Sequence, residues 1–184
     1  MHIDAERAEL LTDLAAARSA LVKTADGLTD DQAAARPTTS ELCLGGLLKH
    51  VAAVEDGWLR VITDGPSAMS FELPDGVSWE EIMSGTAREY PQWMIERQQQ
   101  FQVLPGETLA GILADYKEVC ARTDRIVGEI ADLDRRIALP AAPWGEPGRE
   151  QSVRATLLHV IAETRQHAGH ADIIREALDG QKST

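Results

Sequence analysis

Two long segments in the first half of the chain place apolar residues at the 3.6-residue spacing of amphipathic helices. The first covers about residues 4–26 and stops at Gly27, since glycine commonly follows a helix C-terminus. The second begins near residue 38, because Thr38 and Glu41 have the spacing of a capping box, and it continues to the sequence TDGPS. The intervening LTDDQAAARP is typical of a short connection with one helical turn. Two long helices joined by a short connection are therefore predicted.

Two further helical segments are predicted in the second half. One covers about residues 108–131, and the other begins after Ser152, a suitable N-cap, and ends before Gly180. The loop LPAAPWGEPGRE between them is dominated by proline and glycine. Residues 63–107 are irregular, although SWEEIMSGTAREY and WMIERQQQF are typical of short helices. A connection this long is uncommon in a compact domain unless it crosses a bundle or shapes a site.

The order of these segments predicts an all-α fold, a four-helix bundle that forms one domain over residues 1–184. Helices joined by short loops run antiparallel, whereas the long connection lets helices two and three run in the same direction. We therefore expect an up-down-down-up order, with a long crossover connection between helices two and three.

Composition and charge narrow the function classes. The chain of 184 residues has a formal net charge of −12, which disfavours binding to nucleic acid and to anionic membranes. No apolar stretch approaches the roughly 20 residues of a membrane span, and the N-terminus lacks the basic region of a signal peptide. The two cysteines, Cys43 and Cys120, form no CxxC pair and are expected to be small apolar side chains. A cytoplasmic protein fits these features best.

The fourth segment carries a column of polar residues on its apolar side. At about 100° per residue, four polar side chains fall within an arc of about 80°. They are His159, Glu163, His167 and His170. The apolar residues on or beside this arc are Val160, Ile173, Ile174 and Leu178. The charged residues of the opposite side are Arg154, Arg165, Asp172, Arg175 and Glu176. The polar column is therefore predicted to face the core.

Glu163 is expected to need a partner there, because a carboxylate in a bundle interior normally loses its charge, pairs with a cation or binds a metal. The arginines of this segment point away from it, which leaves imidazoles and a carboxylate, a donor set that divalent transition metals take. Glu163 and His167 are one helical turn apart and can chelate one ion. His50 shares the inward face of the second segment with Leu47 and Trp58. We therefore predict a metal site of His50, Glu163 and His167 with open coordination positions.

Other assignments for the polar side chains stay open. His159 could hydrogen-bond across the bundle, although it also has chelate spacing with Glu163. His170 could pair with Glu163 or with Glu55. Cys43 is a poor fourth ligand, since it lies about two turns before the inward histidine of the second segment.

The sequences TLLHVIAETRQHAGHADIIREALDG and RPTTSELCLGGLLKHVAAVEDGWLRV resemble the DinB-like superfamily, in particular its actinobacterial branch of single-domain proteins. The resemblance covers nearly the whole chain and implies an up-down-down-up bundle, commonly a homodimer, with zinc or nickel at one end. It implies His50, Glu163 and His167 as the metal ligands, with His170 as a neighbour that contacts the cofactor or supports a ligand. Many members have histidine in place of Glu163, but the related mycothiol-dependent maleylpyruvate isomerases have glutamate there. No second domain like that of the isomerases is expected.

The resemblance also implies a chemistry. Characterised relatives use the metal to bind a low-molecular-weight thiol, such as mycothiol, as a thiolate for S-transfer or isomerisation. The implied partners are thus a small thiol and an electrophile, in a pocket that His170 and the region around Trp79, Trp93 and Trp144 are expected to shape. Two alternatives remain: a metal-dependent hydrolase that activates water, and a non-catalytic stress-related dimer whose polar column binds a ligand or is a hydrogen-bond network.

Overall fold

Seven α-helices account for most of residues 5–142, 146 and 148–182, which are the residues that the computed structural model describes. The four long helices are α1 (Ala5–Lys23), α3 (Leu44–Asp64), α6 (Leu109–Glu129) and α7 (Val153–Asp179). The three short helices are α2 (Asp30–Ala34), α4 (Trp79–Ser84) and α5 (Gln92–Gln100), and a 3₁₀ turn covers Pro66–Ala68. The prediction of a mostly helical fold is confirmed, as are the single turn before α3 and the two short helices between α3 and α6.

A small antiparallel ribbon, formed by β1 (Arg136–Ala138) and β2 (Glu150–Ser152), was not predicted. Its strands flank the proline-rich loop, and Ile137 pairs with Gln151 in the register. Strands of three residues are too short to show an alternating pattern in the sequence. The ribbon leads directly into α7 and therefore fixes where that helix begins.

Side chains cap the N-termini of α6 and α7, and of the two caps Ser152 was predicted from the sequence. Thr108 and Ser152 each accept a hydrogen bond from the backbone N–H three residues later, at 3.1 Å in both cases. These side chains satisfy donors that have no partner inside the helix. Gly180 ends α7 with a φ of +79°, a left-handed conformation that favours glycine.

The start of α3 differs from the prediction. Thr38 accepts a hydrogen bond from the backbone of Ser40, and Glu41 pairs with Arg36, so these two side chains hold a turn and no capping box. Such local bonds compete with helix formation. The helix begins six residues later, where the sulfur of Cys43 accepts a hydrogen bond from the N–H of Gly46.

The long helices bury apolar side chains in separate clusters along their length. Helix α7 packs against α1 and α3, and α3 also packs against α6. One apolar cluster joins the end of α1 to the starts of α3 and α6 and the end of α7, through Leu21, Leu47, Ile112 and Ala171. A second cluster joins the opposite ends of the same helices, through Leu10, Val61, Val127 and Leu157.

Three predictions for the faces of α7 are wrong. His159 is exposed, although the polar column to which it belongs was predicted to face the core. Arg175 is only 4% exposed, because its guanidinium donates to the carbonyls of Thr24 and Asp26 at the end of α1 and to Asp179. The connection that follows α1 covers this arginine and supplies carbonyl acceptors for its guanidinium. Helical periodicity in α7 cannot reveal a contact with this connection. Ile173 is 63% exposed, and by the helical angles it lies beside the predicted arc and not within it.

A buried ion pair connects α1 to α3. The Arg18 Nε donates to Glu55 Oε2 at 3.0 Å, and a second guanidinium nitrogen contacts Oε1 of the same carboxylate. Arg18 also donates to Asp124 on α6 at 2.8 Å. Glu55 is only 1% exposed, so its charge is tolerated because the arginine fork neutralises it and satisfies both oxygens.

Removing the cation of this pair is expected to destabilise the fold strongly. In Arg18→Met the Glu55 carboxylate would stay buried without a partner, which typically costs about 3–5 kcal/mol of unfolding free energy. The control is Arg165→Met, which breaks an exposed pair with Asp13 and should cost less than about 1 kcal/mol. Denaturant unfolding measures both. A loss for Arg18→Met no larger than for the control would contradict this account.

Candidate metal centre

Three side chains from two helices converge at one place in the core. His50 extends from α3, and Glu163 and His167 extend from successive turns of α7. One ligand atom from each residue lies within 4.8 Å of those of the other two. His50 is 2% exposed and His167 is 9% exposed, whereas Glu163 is half-buried. The three residues that the sequence singled out are therefore neighbours in space.

Both histidines are held neutral by their surroundings. Burial, and then the nearby His167 and Arg97, lower the pKa of His50 to about 4, although the hydrogen bond to Gln100 opposes this shift. Burial also lowers the pKa of His167, and Glu163 opposes this shift only in part. The His167 Nε2 lies 3.7 Å from the Glu163 Oε2, which is not an ion pair while the imidazole is neutral. Two electron-pair donors that face each other in this way fit a bound cation.

Outer hydrogen-bond partners orient the two rings. The His50 Nδ1 lies 3.3 Å from the Gln100 Oε1, so a proton on Nδ1 can be donated to the amide while Nε2 keeps its lone pair. The His167 Nδ1 lies 3.5 Å from the His170 Nδ1, at the limit of a hydrogen bond. Metal-binding histidines commonly use their second nitrogen in this way. The donor set, its protonation and its outer contacts therefore fit a divalent cation.

The other polar side chains of the predicted column have separate surroundings. His159 is exposed, and its ring makes an edge contact with Trp58 at 5.2 Å between centroids. His170 contacts His167 and is next to the three-residue cluster, whereas Glu55 has Arg18 as its partner. The alternative pairing of His170 with Glu55 is therefore wrong.

The chain that follows α5 forms the wall of the cluster. The ring of Phe101 stacks on that of His50, with centroids 4.0 Å apart and planes inclined by 27°. The Lys49 ammonium donates to the carbonyl of Gln102 at 2.9 Å and to the Glu107 carboxylate at 2.6 Å. Gly46 permits this approach, since a Cβ there would overlap the Phe101 carbonyl. The first turns of α3 thus supply His50 and also the surface against which the Phe101 segment packs.

A cavity of about 1040 Å³ opens on the other side of this wall, between α4 and α5. Its lining includes Trp79, Trp93, Arg97 and Phe101, of which Phe101 also contacts the cluster. Trp79 and Trp93 thus line a cavity beside the cluster, and Trp144 lies outside the described residues. Sequence reasoning missed Arg97, Gln100 and Phe101, because no periodic pattern marks one face of a short helix with little apolar content.

The fold and the site together define a helical protein with a candidate His₂Glu metal centre. The family model of the mycothiol S-transferases matches residues 9–180, and the chain belongs to this family. The resemblance to the DinB-like superfamily is thereby confirmed. No curated protein matches the chain. None of the helices formed by the described residues combines the length and apolarity of a membrane span.

The close approach at Gly46 yields a stability prediction. In Gly46→Ala the new methyl group would push against backbone atoms of Phe101, and overpacking of this kind typically costs about 1–3 kcal/mol. Gly128→Ala on α6 is the matched control, because a Cβ there meets no atom within 4 Å; it should be neutral or stabilising by up to about 1 kcal/mol. Urea unfolding of both variants gives the comparison, and equal effects would refute the assigned packing.

Cys120 is expected to be a poor nucleophile. Burial, and then the charge of Glu55, raise the pKa of its thiol to about 12, so little thiolate exists at pH 8. In a Cys43→Ser background, iodoacetamide should alkylate the native protein at least roughly 100-fold more slowly than the unfolded chain, with a rate that rises with pH. Mass spectrometry follows the reaction. Similar rates in both states would show that Cys120 is not shielded.

Proposed function

We propose that this chain transfers the sulfur of mycothiol to a small electrophile, with a divalent metal held by His50, Glu163 and His167. The observation that carries the proposal is the convergence of these three donors in a chain of the mycothiol S-transferase family. A cation held there would supply the positive charge that keeps a bound thiol deprotonated at neutral pH. The reaction forms a carbon–sulfur bond, breaks the bond from carbon to its leaving group, and releases the thiol proton to solvent.

The residues of the chain prepare this site in three ways. Two neutral imidazoles and one carboxylate contribute a single negative charge, which leaves a divalent ion with a net positive charge for a thiolate. Gln100 and His170 hold the two rings through their second nitrogens. Phe101 covers His50 and keeps water from one side of the cluster. We assign His170 to an outer contact of the centre, where it can also meet the cofactor.

Nitrogen and carboxylate donors suit either zinc or nickel, which are the two metals that we propose. We also infer an up-down-down-up four-helix bundle, which is supported by the apolar cluster that joins the ends of α1 and α7 to the starts of α3 and α6. A homodimer, a cytoplasmic location and a single domain over residues 1–184 remain predictions from the sequence.

A paired measurement of metal content and activity tests the proposal. Protein loaded with zinc or nickel should hold about one equivalent and consume mycothiol in the presence of a fluorogenic alkyl halide. His167→Ala should lose the metal and at least roughly 100-fold in rate, because it removes a ligand. His159→Ala, whose side chain is exposed beside Trp58, is the control and should keep both properties.

Each negative result of this experiment would favour a different alternative function. Metal content below about a tenth of an equivalent, under conditions that permit loading, would refute the metal site and favour a structural hydrogen-bond network. Full metal content with hydrolysis of activated esters, and without thiol consumption, would refute the transferase and favour a hydrolase that activates water.

A further inference from the structure

The cavity between α4 and α5 has an aromatic interior and an apolar rim. The rings of Trp79 and Trp93 lie 6.2 Å apart between centroids, and the Trp93 Nε1 donates to the carbonyl of Glu72 at 3.0 Å, which fixes that ring. At the rim, Met83 and Tyr90 expose large apolar surfaces to solvent. A volume of about 1040 Å³ accommodates a small organic molecule. The lining therefore favours a flat apolar or aromatic body.

Arg97 adds a positive charge at the side of the cavity that faces the metal centre. It lies on α5 one turn before Phe101, so the two side chains share a helix face and both line the cavity. Phe101 also stacks on His50, so this face of α5 adjoins the candidate metal centre. Within the described part of the chain, Arg97 forms no ion pair with a carboxylate, in contrast to Arg18 and Arg175.

The remaining charges of the cavity leave Arg97 as the best partner for an anion. Arg88 donates to the carbonyl of Asp75 at 2.6 Å, which directs part of its guanidinium away from the cavity. Glu89 is the acidic residue of the lining and would repel an anion. A guanidinium presents a planar fork that matches the two oxygens of a carboxylate.

We propose that this cavity binds the electrophilic acceptor, and that it selects aromatic electrophiles that carry a carboxylate. Arg97 pairs with the carboxylate and acts as a specificity-determining residue, while Trp79 and Trp93 contact the aromatic body. The electrophilic carbon then receives the thiol sulfur and loses its leaving group, as in the proposed transfer. This inference rests on the proposed function for its chemistry, but the binding preference can be measured without turnover.

The first experiment measures binding of unreactive probes. Tryptophan fluorescence quenching gives the Kd of 2-naphthoate and of 2-naphthamide, which have nearly the same shape but differ in charge and in the N–H donors of the amide. Wild-type protein should bind the naphthoate roughly tenfold more tightly, because a charge-assisted hydrogen bond adds to the same aromatic contacts. Arg97→Gln should remove this preference without weakening amide binding, and Arg97→Lys should retain part of it. A wild-type preference below twofold, or one that survives Arg97→Gln, would overturn the proposal.

Three further variants test whether the preference for the naphthoate over the naphthamide arises in the cavity. Arg165→Gln removes an exposed arginine from α7, outside the cavity, and should leave the preference unchanged. Glu89→Gln removes the repelling carboxylate and should increase the preference. His167→Ala should retain the preference, since the proposed partner is Arg97; loss of the preference in this variant would mean that the carboxylate binds at the metal, which would overturn the proposal.

The second experiment measures turnover of two matched electrophiles, 4-(bromomethyl)benzoate and 4-(bromomethyl)benzamide, with mycothiol. Arg97→Gln should reduce the ratio of their kcat/KM values roughly tenfold, through a higher KM for the benzoate and with little change in kcat. Equal losses for both electrophiles would overturn the assigned role of Arg97. If neither electrophile reacts while the naphthoate preference persists, the transferase proposal fails and the binding preference of the cavity stands.

Discussion

The chain segment that ends α5 lies directly on the first turns of α3, and the buried side of the candidate site depends on this packing. Gly46 leaves room for the Phe101 carbonyl, and Lys49 holds the carbonyl of Gln102. As a result, the Phe101 ring covers His50 and the Gln100 amide reaches its Nδ1. The packing at the start of α3 therefore explains three properties of His50. It buries the ring, keeps the imidazole neutral and orients its lone pair.

Two glutamate carboxylates in the helical core have different partners, and this difference explains where a cation can bind. Glu55 is fully buried and receives both of its charged hydrogen bonds from Arg18. Glu163 is half-buried and has only neutral His167 as an ion-pair candidate among the described residues. A carboxylate beside two neutral imidazoles can be compensated by a metal ion, whereas a carboxylate in an arginine fork needs no further partner.

The sequence predicted those parts of the fold that repeat along a helix. The arc of α7 placed Glu163 and His167 inward, and the inward His50 supplied a third donor, because 3.6-residue periodicity relates sequence position to direction. Periodicity could not show that the connection after α1 would cover Arg175. It also could not show that Phe101 would stack on His50, because that contact depends on how an irregular connection returns to α3.

The division between long and short helices suits the proposed transfer between two substrates. The three candidate ligands lie on α3 and α7, which are anchored by the apolar core on both sides of the site. The cavity proposed for the second reactant is lined by α4, α5 and the chain between them, which contribute little to that core. Transfer between two bound molecules requires their reacting atoms to be neighbours, and Phe101, which contacts both the cluster and the cavity, makes the two regions adjacent. Changes in the short helices can therefore alter the choice of electrophile while the candidate metal ligands keep their positions.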